Sequence, residues 1–218
     1  MSGFTGSPRL VKGGIVVADA STLAIRSVIT LQYNPDTVTR NLQAQGAAAG
    51  AHHSEALRLT GPAIETFKID AELDATDALE HPDQNAATVE LGLLPALAVL
   101  EALVNPRAAD LVANDQLAQA GVIELVPAPA PLTVFVWGPQ RIMPVRVTDF
   151  SIVEDAFDPA LNPLRARVSL GLRVLTVDDL GHQHPGGALF LGALQRRERH
   201  AGRAGAPGLS AMGIGGLR

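Results

Sequence analysis

The most regular hydrophobic pattern in the chain lies in residues 144–176. From position 164 to 174 every even residue is apolar, whereas every odd residue is polar or glycine. Side chains alternate faces along a strand, so this pattern predicts a long, half-buried β-strand. A second extended run, Val145–Glu154, precedes it, and its apolar residues change from odd to even positions near Thr148–Asp149, which predicts a bulge. Asp155–Pro163 between them carries turn signals, and a long antiparallel hairpin is therefore predicted.

Further stretches have the composition and alternation of strands. They are Leu10–Ala18, Leu23–Tyr33, Thr37–Gln43, Ile64–Ala75 and Thr133–Trp137. The pair Gly13–Gly14 falls within the first of them, where glycine fits a bulge or a close backbone approach. The pattern indicates a mainly β protein with antiparallel strands.

Two predicted strands carry charged rows of opposite sign on their polar faces. The acidic row on Ile64–Ala75 is Asp70, Glu72 and Asp74, and the basic row on the second hairpin strand is Arg165, Arg167 and Arg173. Opposite charges on neighbouring strands attract each other. We expect the two rows to meet, either within one chain or across a boundary between subunits.

Helical segments are predicted between and after the strands. Residues 86–104 are apolar nearly all round after Leu91, so a buried helix is expected there, with a kink at Pro95 or a start near Gly92. Arg107–Asn114 and Ala188–His200 are shorter candidates. The predicted fold class is α+β, with residues 1–180 forming a β-domain that has a helical insertion near 86–114, and residues 181–218 forming a C-terminal helix and a Gly/Ala/Arg-rich arm.

Charge and composition exclude several classes of function. The net charge is −5, with 17 basic and 22 acidic residues, so a nucleic-acid partner is not expected. The chain contains no cysteine, which excludes disulfides and thiolate metal sites. No apolar run reaches the ~18 residues of a spanning helix, and the first residues do not resemble a secretory signal.

Candidate catalytic residues are few and scattered. His182 and His184 have no third ligand nearby, although a zinc site needs three or four. The carboxylates at Asp155 and Asp158 fall in a polar turn, where such residues usually cap the backbone. We therefore expect no catalytic residues, no metal, no cofactor and no enzyme activity. Trp137 and Tyr33 leave open an alternative, a sugar-stacking surface that would bind carbohydrate or peptidoglycan.

Three elements, in this order, resemble a known family. They are Gln32–Asp36 (QYNPD), Pro131–Gly138, and the hairpin with its tip at Phe157–Pro163. Together they resemble the tube-type N-terminal domain of contractile injection system proteins, which are phage-tail-like machines. The resemblance covers about residues 9–179. Family members often carry a C-terminal LysM domain, but the 39 residues after Asp179 do not have its pattern, so peptidoglycan binding by LysM is not expected.

The resemblance implies an antiparallel β-barrel or split barrel, related to phage tail-tube proteins and packed with one or two helices. It implies a homo-oligomer, a ring of six copies that joins the inner tube to the spike, hub and baseplate proteins. Assembly in the bacterial cytoplasm is expected, with release of the particle left open, and an ordinary inner-tube subunit is the alternative. The interface residues expected from the matching positions and the charged rows are Tyr33, Asn34, Pro35, Asp70, Glu72, Asp74, Trp137, Phe157, Arg165, Arg167 and Arg173.

Overall fold

The computed structural model describes residues 11–46, 57–120, 130–205, 208 and 212–215. In this part of the chain seven strands form one antiparallel sheet, in the order β2-β1-β5-β6-β7-β4-β3. The strands are β1 (Gly14–Ala18), β2 (Ile25–Thr30), β3 (Val38–Gly46), β4 (Leu59–Asp74), β5 (Leu132–Val136), β6 (Ile142–Phe157) and β7 (Pro163–Val174). The mainly β, α+β fold class is confirmed.

Six α-helices and one short 3-10 turn accompany the sheet in the described residues. They are α1 (Thr76–Leu79), the 3-10 turn Pro82–Gln84, α2 (Ala86–Leu91), α3 (Leu94–Glu101), α4 (Ala108–Gln119), α5 (Val177–Leu180) and α6 (Pro185–Ala201). The first five of these elements lie between β4 and β5, and α1 and the 3-10 turn precede the stretch 86–114 in which helices were predicted.

The hairpin of β6 and β7 is the centre of the sheet, as the alternation predicted. Its pairing runs from Val145 opposite Val174 to Phe157 opposite Pro163, and the register shifts between Val147 and Asp149. The predicted bulge is therefore confirmed. Gly171 lies opposite this bulge, where a Cβ atom would come within 2.7 Å of the Asp149 Cβ, so the close approach of the strands requires glycine.

The hydrophobic core lies on one face of the central strands. On β7 the residues Ala166, Val168, Leu170, Leu172 and Val174 are all buried. The facing layer comes from helices, because Leu97 of α3 and Phe190 of α6 belong to the same cluster of buried residues. The alternation of β7 thus separates an aliphatic core face from a polar outer face.

The sheet does not close into a barrel in the described residues, because its edge strands β2 and β3 do not pair with each other. These strands are joined by residues 31–37. Within this link the Gln32 side chain hydrogen-bonds both the N–H and the C=O of Asp74, at 2.9 and 2.8 Å. The resemblance implied a barrel or split barrel, and the described residues form an open antiparallel sheet instead of a closed barrel.

The predicted helix at 86–104 is broken at Gly92. This residue has a φ of 57°, and a Cβ there would lie 2.5 Å from the Pro163 carbonyl oxygen, so α2 ends and α3 begins around it. The expected burial all round is wrong, because α3 lies against the sheet on one side only. Leu97 and Leu100 are buried, whereas Leu94, at the start of the helix, and Val99 are exposed.

The C-terminal helix packs onto the β-domain. Phe190 and Ala193 of α6 lie in the main core, and Gly187 fits against the Gly181 carbonyl, where a Cβ would meet the oxygen at 2.3 Å. Of the predicted arm that follows, residues 206–207, 209–211 and 216–218 lie outside the described residues.

Candidate functional site: sheet edges, hairpin tip and charged face

The two edge strands of the sheet expose apolar side chains as well as backbone. Val28 on β2 is 57% exposed and Leu42 on β3 is 53% exposed. Within the described ranges each edge strand pairs on one side only, β2 with β1 and β3 with β4. Unpaired edge N–H and C=O groups are a template for pairing with another strand, and neither edge is covered by a described element of the sheet.

The hairpin tip presents a second apolar surface. Phe157 and Leu161 are both exposed there. The tip is ordered by Asp158, whose carboxylate accepts hydrogen bonds from the backbone N–H of Ala160 and Asn162 at 2.7 and 2.8 Å. The bonds donated by the Asn162 side chain and backbone hold the pKa of Asp158 below its ordinary value.

The tip is also tied to the helical insertion. The Asn162 side chain donates to the Glu90 carbonyl at 3.0 Å, and the Leu93 N–H donates to the Pro163 carbonyl at 2.8 Å. Leu161 is held at a φ of 67°, a left-handed conformation that costs a non-glycine residue about 1 kcal/mol or more. The tip is therefore an ordered turn that leaves the Leu161 side chain exposed.

The two charged rows lie on neighbouring strands of the same chain. On β4 and β7, Asp74 is opposite Arg165 and Glu72 is opposite Arg167. The Arg165 guanidinium lies 3.2 Å from the Asp74 carboxylate. Arg167 makes no ion pair within the described residues. The outer face therefore combines one paired and one unpaired arginine.

The other members of the rows are engaged locally. Asp70 accepts a hydrogen bond from the Ser169 hydroxyl at 2.5 Å. Arg173 pairs with Asp179 at 2.9 Å, and Asp179 also closes the capping box of α5 with Thr176. Burial raises the pKa of Asp179, but the bonds from Thr176 and Arg173 outweigh it and leave that pKa below its ordinary value.

The QYNPD segment joins separate parts of the chain. The Asn34 side chain accepts from the Gly13 N–H and donates to the Val11 carbonyl, both at 2.8 Å. The Tyr33 hydroxyl donates to Asp77 at 2.8 Å, and this bond raises the pKa of Tyr33. Pro35 follows, half-buried. The segment therefore fixes the connection between the two sheet edges, and Tyr33 remains exposed beside it.

Trp137 is held against the core rather than presented as a free platform. Its ring stacks on Phe135 with centroids 6.0 Å apart and an interplanar angle of 28°. Gly13 lies against the indole, since a Cβ there would be 2.4 Å from the ring. The aromatic pairs in the described residues are Phe67–Phe135 and Phe135–Trp137, so Tyr33 and Trp137 do not stack.

A buried ion-pair cluster lies beneath β3 and α6, and the sequence analysis missed it. Glu65 points to the core side of β4 and is 2% exposed. Its carboxylate accepts from Arg40 of β3 and, in a bidentate pair at 2.8 and 2.9 Å, from Arg197 of α6. The available signal was a glutamate at an inward position of an alternating strand, which needs a cationic partner.

The histidines and carboxylates do not converge on a metal or catalytic site in the described part of the chain. His184 caps α6, where its Nδ1 accepts from the Gly186 N–H at 3.0 Å. No three His, Asp or Glu residues of the described ranges are placed to hold a metal ion. The described helices include none that is long and apolar enough to cross a membrane.

Comparison with known proteins gives distant likenesses to solved structures alone. No protein-family model matches the chain, and no curated protein matches it. Among solved structures, a chain of "Virion of native gene transfer agent (GTA) particle" aligns with a TM-score of 0.29 and 10% identity, over 75% of this chain and 91% of that chain. A chain of "Tail of empty GTA particle computed with helical refinement, C6 symmetry" aligns with a TM-score of 0.30 and 10% identity, over 75% and 90%. A likeness this distant does not argue for a function.

Proposed function

We propose that this chain is a structural component of a phage-tail-like contractile injection system, and that it forms a ring joining the inner tube to the spike and baseplate hub. The observation that carries the proposal is the open antiparallel sheet whose edge strands, β2 and β3, are partly apolar and have no outer partner in the described residues. The resemblance of the QYNPD segment and the hairpin to tube-type domains supplies the class of particle. The described residues offer no converging set for catalysis or metal binding.

The two edges favour a ring over a symmetric dimer. They carry different sequences, so an edge of one subunit that pairs with the opposite edge of the next makes a heterologous contact. Such contacts close into a ring when the rotation between subunits is right, and otherwise form open filaments. Pairing β2 of one copy with β3 of the next would satisfy the edge N–H and C=O groups and cover Val28 and Leu42. The number of six copies comes from the resemblance alone.

The hairpin tip is the proposed contact with the partners above and below the ring. Phe157 and Leu161 are exposed at the end of the longest hairpin, and the tip is fixed to the helical insertion. A rigid apolar projection can bury itself in a neighbouring ring with little loss of conformational freedom. The proposed partners are the inner-tube protein on one side and the spike or hub protein on the other, within a particle assembled in the bacterial cytoplasm.

Negative-stain electron microscopy of the purified chain, alone and mixed with its inner-tube protein, tests this function. We expect six-fold rings alone and rings at one end of tubes in the mixture. Long tubes formed by this chain alone would instead identify an ordinary inner-tube subunit. Particles that remain monomeric at concentrations that assemble the tube protein would contradict the proposal.

The charged face gives a second test of assembly. Arg167 is exposed and unpaired, so Arg167→Glu should leave the fold intact while weakening assembly if the arginine meets a carboxylate of the adjacent subunit. Circular dichroism checks the fold, and light scattering checks the oligomer. Arg203→Glu, at an exposed position after α6 that likewise makes no ion pair in the described residues, is the matched control. If both variants assemble like the unmodified chain, the seam does not include the arginine row.

A further inference from the structure

A cavity of about 280 Å³ lies beside the Glu65 cluster, where the edge strand β3, the β5–β6 turn and the end of α6 meet. Its lining includes three arginines, Arg40, Arg141 and Arg197, together with His200. Glu65 is buried beneath two of these arginines, Arg40 and Arg197, and accepts hydrogen bonds from both, while the lining itself includes no carboxylate. With the histidine neutral, three positive charges thus face one negative charge.

The guanidinium groups of Arg40 and Arg197 have N–H donors that Glu65 does not use. Arg40 uses its Nε on Glu65, and Arg197 uses Nη1 and Nη2. A guanidinium carries five N–H donors, so most of the donors on Arg40 remain unused by Glu65. Both side chains are about one-third exposed, at 34% and 33%, and can therefore be reached by a ligand. Glu65 holds the two groups side by side and so pre-orients them toward the cavity.

Arg141 supplies the third cation from the opposite wall. Its backbone closes the β5–β6 turn, because the Trp137 N–H donates to the Arg141 carbonyl at 2.8 Å. Its side chain makes no hydrogen bond or ion pair with any residue that the structure describes. The neighbouring Gln140 amide adds two further donors to the lining. An unpaired arginine on a fixed turn, facing two oriented guanidinium groups, is an arrangement for binding an anion.

We propose that this cavity binds a small oxyanion of the phosphate or carboxylate class. Arginine forks match the oxygen spacing of both groups, and charge-assisted bonds of this kind are the stronger hydrogen bonds in proteins. The volume lies at the lower limit of small-molecule pockets, so it suits a small anion or a single anionic group rather than a nucleotide. The Trp137 indole forms an apolar wall beside the donors.

Isothermal titration calorimetry of the full chain with sodium phosphate and with sodium acetate, in buffer of constant ionic strength set with chloride, tests this site. We expect saturable binding of one ion per chain for at least one of the two salts. Tighter binding of phosphate would identify phosphate as the preferred class, and tighter binding of acetate would identify carboxylate. No saturable heat with either salt at about one hundred times the protein concentration would overturn the proposal.

Two variants test whether the ion binds in this cavity. Arg141→Gln removes a cation that the fold does not use, and we expect Kd to rise about tenfold, the effect of losing one charge-assisted hydrogen bond. Arg107→Gln makes the same charge change far from the cavity and should leave Kd within about twofold. Equal weakening in both variants would show a non-specific charge effect, and unchanged binding in Arg141→Gln would show that the ion lies elsewhere; either result overturns the assignment.

Discussion

The central strand β7 and the edge strands β2 and β3 differ in side-chain burial and in strand pairing. On β7 the inward residues are completely buried, and both neighbours, β6 and β4, pair along most of its length. On β2 and β3 one side of each strand has no partner in the described residues, and Val28 and Leu42 are half exposed. Buried apolar surface is therefore concentrated in the centre, and the proposed association would use the edges. Substitutions at the centre and at the edges can therefore test folding and association separately.

The largest effect is expected at the centre. Leu172→Ala removes a fully buried side chain from β7, and the free energy of unfolding should fall by about 3 kcal/mol from lost burial and the cavity left behind. Leu42→Ala on the edge makes the same chemical change and should cost no more than about 0.5 kcal/mol in the dissociated chain. Denaturant unfolding at low concentration measures both. Similar losses in the two variants would contradict the division between centre and edge.

The central hairpin could be predicted from the sequence because alternation is a pattern of neighbouring residues. Alternation placed β7 and its buried face, and the parity change located the bulge between Val147 and Asp149. The edges were less predictable, because closure depends on a long-range geometry. In the described residues β2 pairs with β1 and β3 pairs with β4, and this pairing decides that the sheet is open.

The Glu65 ion-pair cluster could not be predicted because its members are distant in sequence. Glu65, Arg40 and Arg197 are far apart in the sequence, and only the folded chain brings a strand, an edge and a helix together around one carboxylate. The opposite error concerned α3, where an apolar run was interpreted as all-round burial. Leu94 and Val99 are exposed because nothing in the described chain covers that side. Association is one physical reason to keep such residues apolar.

The next largest effect is expected at the Glu65 cluster, which links edge and core. Glu65→Ala leaves Arg40 and Arg197 without their shared carboxylate, and we expect a loss of about 2 kcal/mol in unfolding free energy. The loss is below that of a wholly buried pair, because both arginines can reach water. Glu72→Ala, on the exposed outer face, is the control and should change stability by at most about 0.5 kcal/mol. A Glu65→Ala chain as stable as the control would show that the cluster does not stabilise the fold.

A smaller effect on stability is expected at the junction between the hairpin and α5. The Thr176 hydroxyl accepts from the Asp178 N–H at 3.2 Å within the capping box, so Thr176→Ala should cost about 1 kcal/mol. Thr37→Ala, in the exposed linker between the edges, provides a matched threonine and should cost much less. Thermal unfolding measures both variants. A larger loss from Thr37→Ala would reverse the expected order.

The smallest effect is expected at the hairpin tip, and it depends on pH. The pKa of Asp158 is lower in the folded chain than in the unfolded chain, so its contribution is fully present above the unfolded value of about 4. That contribution disappears as the pH falls through the lower, folded pKa. Asp158→Asn should therefore be less stable than the parent at neutral pH and should approach it in acid. A stability difference that persists unchanged to the lowest pH would contradict this assignment.

The central claim is that opposite edges pair between copies, and a mixing measurement tests it most directly. Val28→Lys places a charge on edge strand β2, and Leu42→Lys places a charge on edge strand β3. Leu111→Lys on α4, at a similarly exposed position (55%), is the control. Native mass spectrometry should show rings for the parent and the control, and monomers for each edge variant alone. Mixing the two edge variants restores one intact pair of edges, so heterodimers and nothing larger should form. Rings from either edge variant alone, or no heterodimer in the mixture, would contradict the account.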